Sequence, residues 1–251
     1  MKIISKLFIP IVGFAFLVSC ASSKQIQKNM NSKSYSMAYM MDSRIAESKD
    51  SNTVRVGNIL FNPGIMGDST TVIRKKGWFL PLILVYVWNS QNQCIQGKSM
   101  FEEDIPTFMK SSLLKEINRS GSFSVDTLDK SDYSLEISID EINTEGAYVS
   151  SGFFYFAFYV YGFSFSDIAG PAVSNLKVSY KLKKGDQVVF SNSFDSSKTT
   201  EQINKGYSNT KILQQDYAVS MVEATSYNFK NVIESIVYDL NNIFYERNKR
   251  K

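Results

Sequence analysis

Apolar and polar residues alternate most regularly in the middle of the chain. In residues 133–142, apolar side chains alternate with serine and acidic ones, which is the period of a strand with one buried and one solvated face. The same alternation returns in residues 173–182. It is followed by the turn sequence Lys-Gly-Asp and a second apolar segment at residues 187–194. These segments predict a long strand and then a β-hairpin.

A first helix is predicted over residues 104–120, where apolar residues recur at helical spacing. Asp104 is a suitable N-cap, and Gly121 is a natural helix stop. A start at Ser99, with Glu102 completing a capping box, is the alternative. Both interpretations place one amphipathic helix before the alternating strand.

A second helix is predicted from about residue 217 or 225 to residue 246, because a long apolar stripe runs along it. A helix packed on a sheet is favoured over one lying on a membrane, since the strands need a cover. Shorter strands are predicted at 53–61 and 122–126. The pattern as a whole predicts an α+β fold: a mainly antiparallel sheet with at least two helices packed on one face.

Two runs follow neither period. Residues 78–88 (WFLPLILVYVW) are eleven apolar or aromatic residues, too few to span a bilayer as a helix. They fit either a buried strand around 82–87 or a membrane-seeking loop, because tryptophan at both ends and adjacent lysines favour headgroup depth. Residues 152–165 hold nine Phe or Tyr in fourteen positions without a charge. They fit a pair of short strands or an aromatic-lined loop.

In a compact fold the two runs can pair with each other. If they pair and are buried, they are core; if their aromatic faces stay exposed, they form a contact surface for a partner, a lipid or a membrane. The candidate contact residues are Trp78, Phe79, Trp88, Phe153, Phe154, Phe156 and Tyr159.

The first twenty residues predict the location of the protein. A basic start, a short apolar run and a small residue before Cys20 describe a signal peptide over residues 1–19. An uncleaved anchor, or an ordinary signal peptide with a chance cysteine, is the alternative. Residues 20–52 are polar without a sustained period and predict a flexible tether, followed by one domain over residues 53–248.

The sequence Leu-Val-Ser-Cys ending at Cys20 resembles the lipobox of bacterial lipoproteins. This resemblance implies acylation of Cys20, hence a membrane as partner and a bacterial envelope location. Ala21, in place of an acidic residue, favours the outer membrane over the inner membrane, and the lack of an acidic cluster in residues 22–25 favours the periplasmic face. An acylated Cys20 leaves Cys94 without an intramolecular disulfide partner.

Composition excludes several functions. The chain has no histidine, which removes Ser-His-Asp and Cys-His catalysis and the commonest zinc ligand. No phosphate-binding loop, nucleophile elbow or metal-ligand spacing occurs, so no enzyme activity, cofactor or metal is expected. Without residues 1–19, 26 basic and 24 acidic side chains remain, so no nucleic-acid partner is expected.

The element order, together with the run 108–133, resembles small envelope lipoproteins of the transport-auxiliary and penicillin-binding-protein-activator type. Their domain is similar to the amino-terminal domain of TolB, and the likeness covers about residues 53–248. It implies an accessory or assembly role in an envelope complex with a protein partner. The alternative is a lipid-binding carrier with an aromatic-lined apolar pocket. The two aromatic runs depart from the family pattern, so only Cys20 is carried over as a functional residue.

Overall fold

A computed structural model gives the fold of the chain. It describes residues 22–46, 49, 51–82, 85–126, 131–157, 160–204 and 209–249. The predicted signal peptide, Cys20 and Tyr159 lie outside the described residues, so their predictions stand as predictions.

The described residues form three α-helices, two short 3-10 helices (Pro63–Ile65 and Lys98–Met100) and eight strands. The α-helices are α1 (Ser23–Met30), α2 (Ile105–Ser120) and α3 (Thr210–Lys249). The strands are β1 (Thr53–Phe61), β2 (Thr71–Leu82), β3 (Val85–Ile95), β4 (Ser124–Val125), β5 (Tyr133–Ala157), β6 (Val160–Lys184), β7 (Gln187–Thr199) and β8 (Ile203–Asn204). The α+β class is confirmed.

Strands β5 and β6, 25 residues each, form the centre of one open sheet. They pair with each other along their whole length. On the other edge of β5, the first half pairs with β1 and the second half with β3. Strand β4 lies outside β1, β2 lies outside β3, and β7 and β8 lie outside β6.

The sheet is mixed, where the alternation had predicted a mainly antiparallel one. Strand β1 runs parallel to both β4 and β5, and the other pairings are antiparallel. Parallel neighbours need a long crossover, which the β2–β3 hairpin and α2 supply here. Alternation indicates which face of a strand is buried but carries no information on strand direction. The parallel pairing of β1 could therefore not be predicted from it.

The helices cover one face of the sheet and create the core. Helix α2 packs on β1, α3 packs on β6 and β7, and the two helices contact each other. The rings of Phe108 (α2) and Phe229 (α3) meet edge to face at 5.6 Å. Along β5, Leu135 and Ile137 are buried under this cover, while Glu136 lies on the opposite face and pairs with Lys183 at 2.5 Å. Burial of this face is the main stabilising term.

The predicted flexible tether is wrong for residues 22–46, which pack against the domain. Helix α1 begins at the N-cap Ser22 and buries Ile26 and Met30 completely. Further along, Asp42 forms an ion pair of 2.5 Å with Lys230 of α3. The polar composition of this segment concealed a short amphipathic helix whose few apolar residues all point inwards.

Candidate functional site

The two aromatic runs come together at one end of the sheet. The run 78–88 forms the end of the β2–β3 hairpin, and the run 152–165 forms the end of the β5–β6 hairpin. Strands β3 and β5 join the two hairpins, with Val85 opposite Tyr155 and Val87 opposite Phe153. We call this four-stranded end the tip: Trp78–Leu82, Val85–Trp88, Gly152–Ala157 and Val160–Phe165.

The tip extends beyond the helices. Gln214, in the second turn of α3, donates a hydrogen bond of 3.1 Å to the buried hydroxyl of Tyr148. Gly152, where the tip begins on β5, is four residues further from this contact. From there to Ala157 the strand extends about 17 Å, at about 3.3 Å per residue. We call the rest of the sheet, with its helices, the body.

Both faces of the tip are apolar. The face continuous with the helix-covered side carries Phe79, Tyr86, Trp88, Phe154, Phe156, Tyr161, Phe163 and Phe165. The opposite face carries Trp78, Leu80, Val85, Val87, Phe153, Tyr155, Ala157 and Val160. In the body this second face is polar and solvated. The tip therefore differs from the body in having no polar face.

Ring contacts and two glycines organise the tip. The ring of Tyr86 lies 6.0 Å from that of Phe79 and 6.2 Å from that of Phe154, so three strands share one row of aromatics. The ring of Trp88 lies over Gly152, where an added Cβ would come within 2.3 Å of it. Gly162 is opposite Tyr155 in the same way. The glycines therefore make room for large rings on neighbouring strands.

The apolar side chains of the tip are exposed. Tyr161 keeps 66% of its surface, Phe163 57%, Trp78 54% and Leu80 48%. Within the described part of the tip, no side chain belongs to the buried core. A contiguous exposed apolar surface of this kind marks a contact with a membrane or another molecule.

Of the candidate contact residues, Trp78, Phe153 and Phe156 are exposed. Phe79, Trp88 and Phe154 are half-buried against their neighbours, and Tyr159 lies outside the described residues. Sequence analysis missed four exposed residues: Leu80, Val160, Tyr161 and Phe163. They belong to the same two runs, but the prediction of contact residues favoured the tryptophans and the first half of the second run.

Charges are confined to the base of the tip. Residues 77–97 and 146–166 contain no Asp, Glu, Lys or Arg. Arg74, Lys75 and Lys76 stand exposed at the base, on β2, where a bulge interrupts its pairing with β3. The tip is therefore an uncharged projection with basic residues at its base. This matches a membrane, in which an apolar interior lies beneath anionic headgroups.

Helix α1 points its amino terminus towards the tip. At its start, the Ser23 hydroxyl donates to Asn92 Oδ1 on β3 at 3.2 Å. At its end, Asn31 and Thr70 exchange two hydrogen bonds of 3.1 Å just before β2 begins. Because β2 runs towards the tip, Ser22 and Ser23 lie at the end of α1 that is nearer the tip. Cys20 is two residues before Ser22, a reach of about 7 Å.

Chemically reactive groups are not part of this site. Burial raises the pKa of the Cys94 thiol to about 12, so the thiolate that would be reactive is not formed at neutral pH. Among the described residues, no group of three or more His, Cys, Asp or Glu is placed to hold a metal ion. None of the helices in the described part is both long and apolar enough to cross a membrane.

A lipid-binding carrier would require a cavity lined by the aromatics of the two runs. The described surface has an open depression of about 500 Å³ between β7 and α3, with Asn192, Asn231 and Asp239 among its lining residues. A second one lies beside α1, around Lys24 and Ser99. Neither is lined by a tip residue, so the aromatics are not gathered around these spaces.

Comparison with known proteins gives the fold and no family. No protein-family model matches the chain, and a search of curated proteins finds no significant match. Among solved structures, the chain is similar to a Xanthomonas campestris protein of the DUF330 family. The TM-score is 0.50 at 12% identity, over 87% of this chain and 99% of that chain. At this identity the likeness shows a shared fold alone.

A second solved structure is described as a neuraminyllactose-binding hemagglutinin homologue from Helicobacter pylori. It has a TM-score of 0.41 at 11% identity, over 84% of this chain and 96% of that chain. A likeness of this extent supports no conclusion about this chain. The function must therefore be argued from the tip itself.

Proposed function

We propose that this protein is a non-enzymatic lipoprotein of the bacterial envelope, anchored through acylated Cys20, which places its tip in the bilayer that holds the anchor. In this role it serves as an accessory or assembly factor for an envelope complex. The observation that carries the proposal is the uncharged tip, apolar on both faces, towards which α1 points its amino terminus.

Insertion of the tip is favourable because its apolar surface leaves water, at about 25 cal/mol per Å². The depth is limited: a projection of about 17 Å reaches into one leaflet of a hydrocarbon core that is about 30 Å thick. Arg74, Lys75 and Lys76 would then lie at the headgroups, where each basic residue near an anionic surface contributes about 1 kcal/mol.

The anchor and the tip support each other. An acyl group at Cys20 holds the body at the surface, which raises the local concentration of the tip at the bilayer. This proposal reverses the role expected of a flexible tether. Because residues 22–46 pack on the body, they keep it close to the membrane instead of letting it extend away. A body held close and oriented by two contacts presents one defined side to a partner.

The direct test compares vesicle binding of two fourfold variants of the mature chain, each made with Cys20 and with Cys20→Ala. The tip variant is Trp78→Ser, Leu80→Ser, Tyr161→Ser and Phe163→Ser. The control variant is Leu60→Ser, Val188→Ser, Tyr238→Ser and Tyr245→Ser, which removes equally exposed apolar groups from the body.

With Cys20→Ala, the otherwise unchanged protein and the control should float with anionic vesicles, and the tip variant should not. All three should keep the same thermal midpoint within a few degrees. If the control loses binding as much as the tip variant does, the contact is unspecific and the proposal fails. If the tip variant unfolds instead, the tip is core and the proposal is equally lost.

The anchor has its own test. The unmodified chain should fractionate with the membrane and shift in mass by its acyl groups, and Cys20→Ala should remove the mass shift. Crosslinking in intact envelopes should then recover a protein partner bound to the body. Absence of the mass shift in the unmodified chain would contradict the lipoprotein assignment.

A further inference from the structure

The tip has two outer edges of contrasting construction. In the sheet that the structure describes, no strand pairs with the outer edge of β2, nor with β6 between Val160 and Ser164. Natural sheets protect such edges with charges, prolines or bulges. On β2, the bulge at Arg74 and Lys76 protects the base, and Pro81, which has no N–H, protects the far end. On β6, the stretch from Val160 to Ser164 has neither a charge nor a proline.

An open edge is tolerated in water but not in hydrocarbon. In water the outward N–H and C=O groups bind solvent, whereas in a bilayer each unsatisfied group costs several kcal/mol. If the tip inserts, as the proposed function states, its two edges need hydrogen-bond partners. The inference that follows rests on that proposed function.

We propose that a second copy of this chain supplies the partner: β6 of one tip pairs antiparallel with β2 of the next. For antiparallel pairing, strand direction decides the choice of edges. Strand β2 runs towards the end of the tip and β6 runs away from it. Pairing β6 with β2 of a neighbour therefore keeps both tips pointing the same way, into one membrane. Antiparallel pairing of β6 with β6 would point the two tips in opposite directions.

The two edges also match in level. Leu80 pairs with Val87, Val87 with Phe153 and Phe153 with Ser164, so Leu80 and Ser164 lie in one row across the tip and on the same face. The bulge and charges at Arg74–Lys76 on one side, and Pro81 on the other, confine the contact to Trp78–Leu80 of β2. A heterologous contact of this kind repeats from copy to copy instead of stopping at two.

The test is a cysteine cross-linking panel in the full-length acylated protein bound to anionic vesicles. Leu80→Cys is combined in turn with Val160→Cys, Ser164→Cys and Ser166→Cys, which sample neighbouring registers on one face. Each single variant serves as a control, since native Cys94 is buried and Cys20 carries lipid in this proposal. Flotation confirms that every variant is bound, and thermal unfolding confirms that it is folded.

On oxidation of the vesicle-bound acylated protein, we expect at least one double variant to form a ladder of trimers and larger species. The Cys20→Ala form of the same variant should form no such ladder in dilute buffer without membranes. The single variants should stay monomeric. A dimer from a single β6 cysteine would show two-fold pairing and overturn the head-to-tail contact. Monomers from every double variant, with the protein vesicle-bound, would also overturn it and leave the proposed function standing. Loss of vesicle binding by the unmodified chain would instead remove both.

Discussion

Strands β5 and β6 pass through two regions of opposite character, the body and the tip. In the body, their alternate side chains are buried under α3, and the side chains between them are polar and face solvent. In the tip, the same strands carry large apolar residues on both faces, and none of the three described α-helices covers them. One strand can therefore be amphipathic for a water-soluble body and apolar all round where its surroundings change. Loss of alternation indicates that change.

The comparison predicts the largest difference for one chemical change made in both regions. Phe229 is fully buried against Phe108, whereas Phe163 is mostly exposed. Phe229→Ala should lower the free energy of unfolding by about 3–5 kcal/mol, because it leaves a cavity. Phe163→Ala should change it by about 0.5 kcal/mol at most. Denaturant unfolding followed by far-UV circular dichroism measures both; equal losses would make the tip part of the cooperative core.

The body should also include the segment that composition assigned to a tether. Ile26 is fully buried in α1, so Ile26→Ala should lower the free energy of unfolding by about 2–5 kcal/mol. The matched control is Lys24→Ala, an exposed change in the same helix, with an expected effect within about 0.5 kcal/mol. Identical denaturation curves for the two variants would restore the flexible tether.

A smaller effect is expected for a buried polar contact of the body. The Asn228 side chain donates to the Ser174 carbonyl at 2.8 Å and to the Ser174 hydroxyl at 3.0 Å, at a site with no exposure. Asn228→Ala removes both hydrogen bonds, although the Ser174 hydroxyl keeps its contacts with Thr144 and Thr225, and should cost about 1–3 kcal/mol. Glu223→Ala, on the exposed side of the same helix, is the control. An effect no larger than that of the control would mean that water replaces the lost bonds.

The smallest expected effect is a pH dependence of stability that arises in the body and not in the tip. Burial, together with the nearby Asp42 and Glu116 carboxylates, raises the pKa of Glu234 to about 7 from its usual 4.5. The folded state thus favours the protonated form, so this group stabilises the fold fully below about pH 4.5 and loses that contribution as the pH rises through about 7.

The thermal midpoint of Glu234→Gln should therefore increase relative to that of the unmodified protein as the pH rises from 4.5 to 7.5. Differential scanning fluorimetry of both proteins across this range gives the difference. Vesicle binding by the tip, which has no Asp, Glu, Lys or Arg, should not follow the same curve. A midpoint difference that stays constant with pH would contradict the assigned pKa shift.

Several elements were predictable because each has a local pattern. Strand β1 and the β6–β7 hairpin follow from apolar segments and turn chemistry. Helix α2 follows from its periodicity, with Asp104 in the N-cap position as expected. Strand β5 was only half predicted. Its alternation breaks at bulges after Ile139 and Gly146, so one continuous strand looked like two elements.

The remaining features depend on tertiary contacts. Helix α3 starts at Thr210, before the predicted stripe, because α1 and β8 cover its first turns. The sequence indicated that the two aromatic runs can pair, and they do. It could not decide between core and surface, since both carry the same residue types. Tyr161 and Phe163 are exposed because the three described α-helices end before the tip.

Tryptophan fluorescence tests the central claim most directly, because both tryptophans of the chain, Trp78 and Trp88, lie in the tip. The acylated protein is mixed with vesicles of plain lipids and of lipids brominated at defined depths. Insertion of the tip predicts a blue-shifted emission and strong quenching by bromines in the upper acyl chain. An unshifted, unquenched emission from protein that floats with the vesicles would show that the anchor alone holds it and that the tip remains in water.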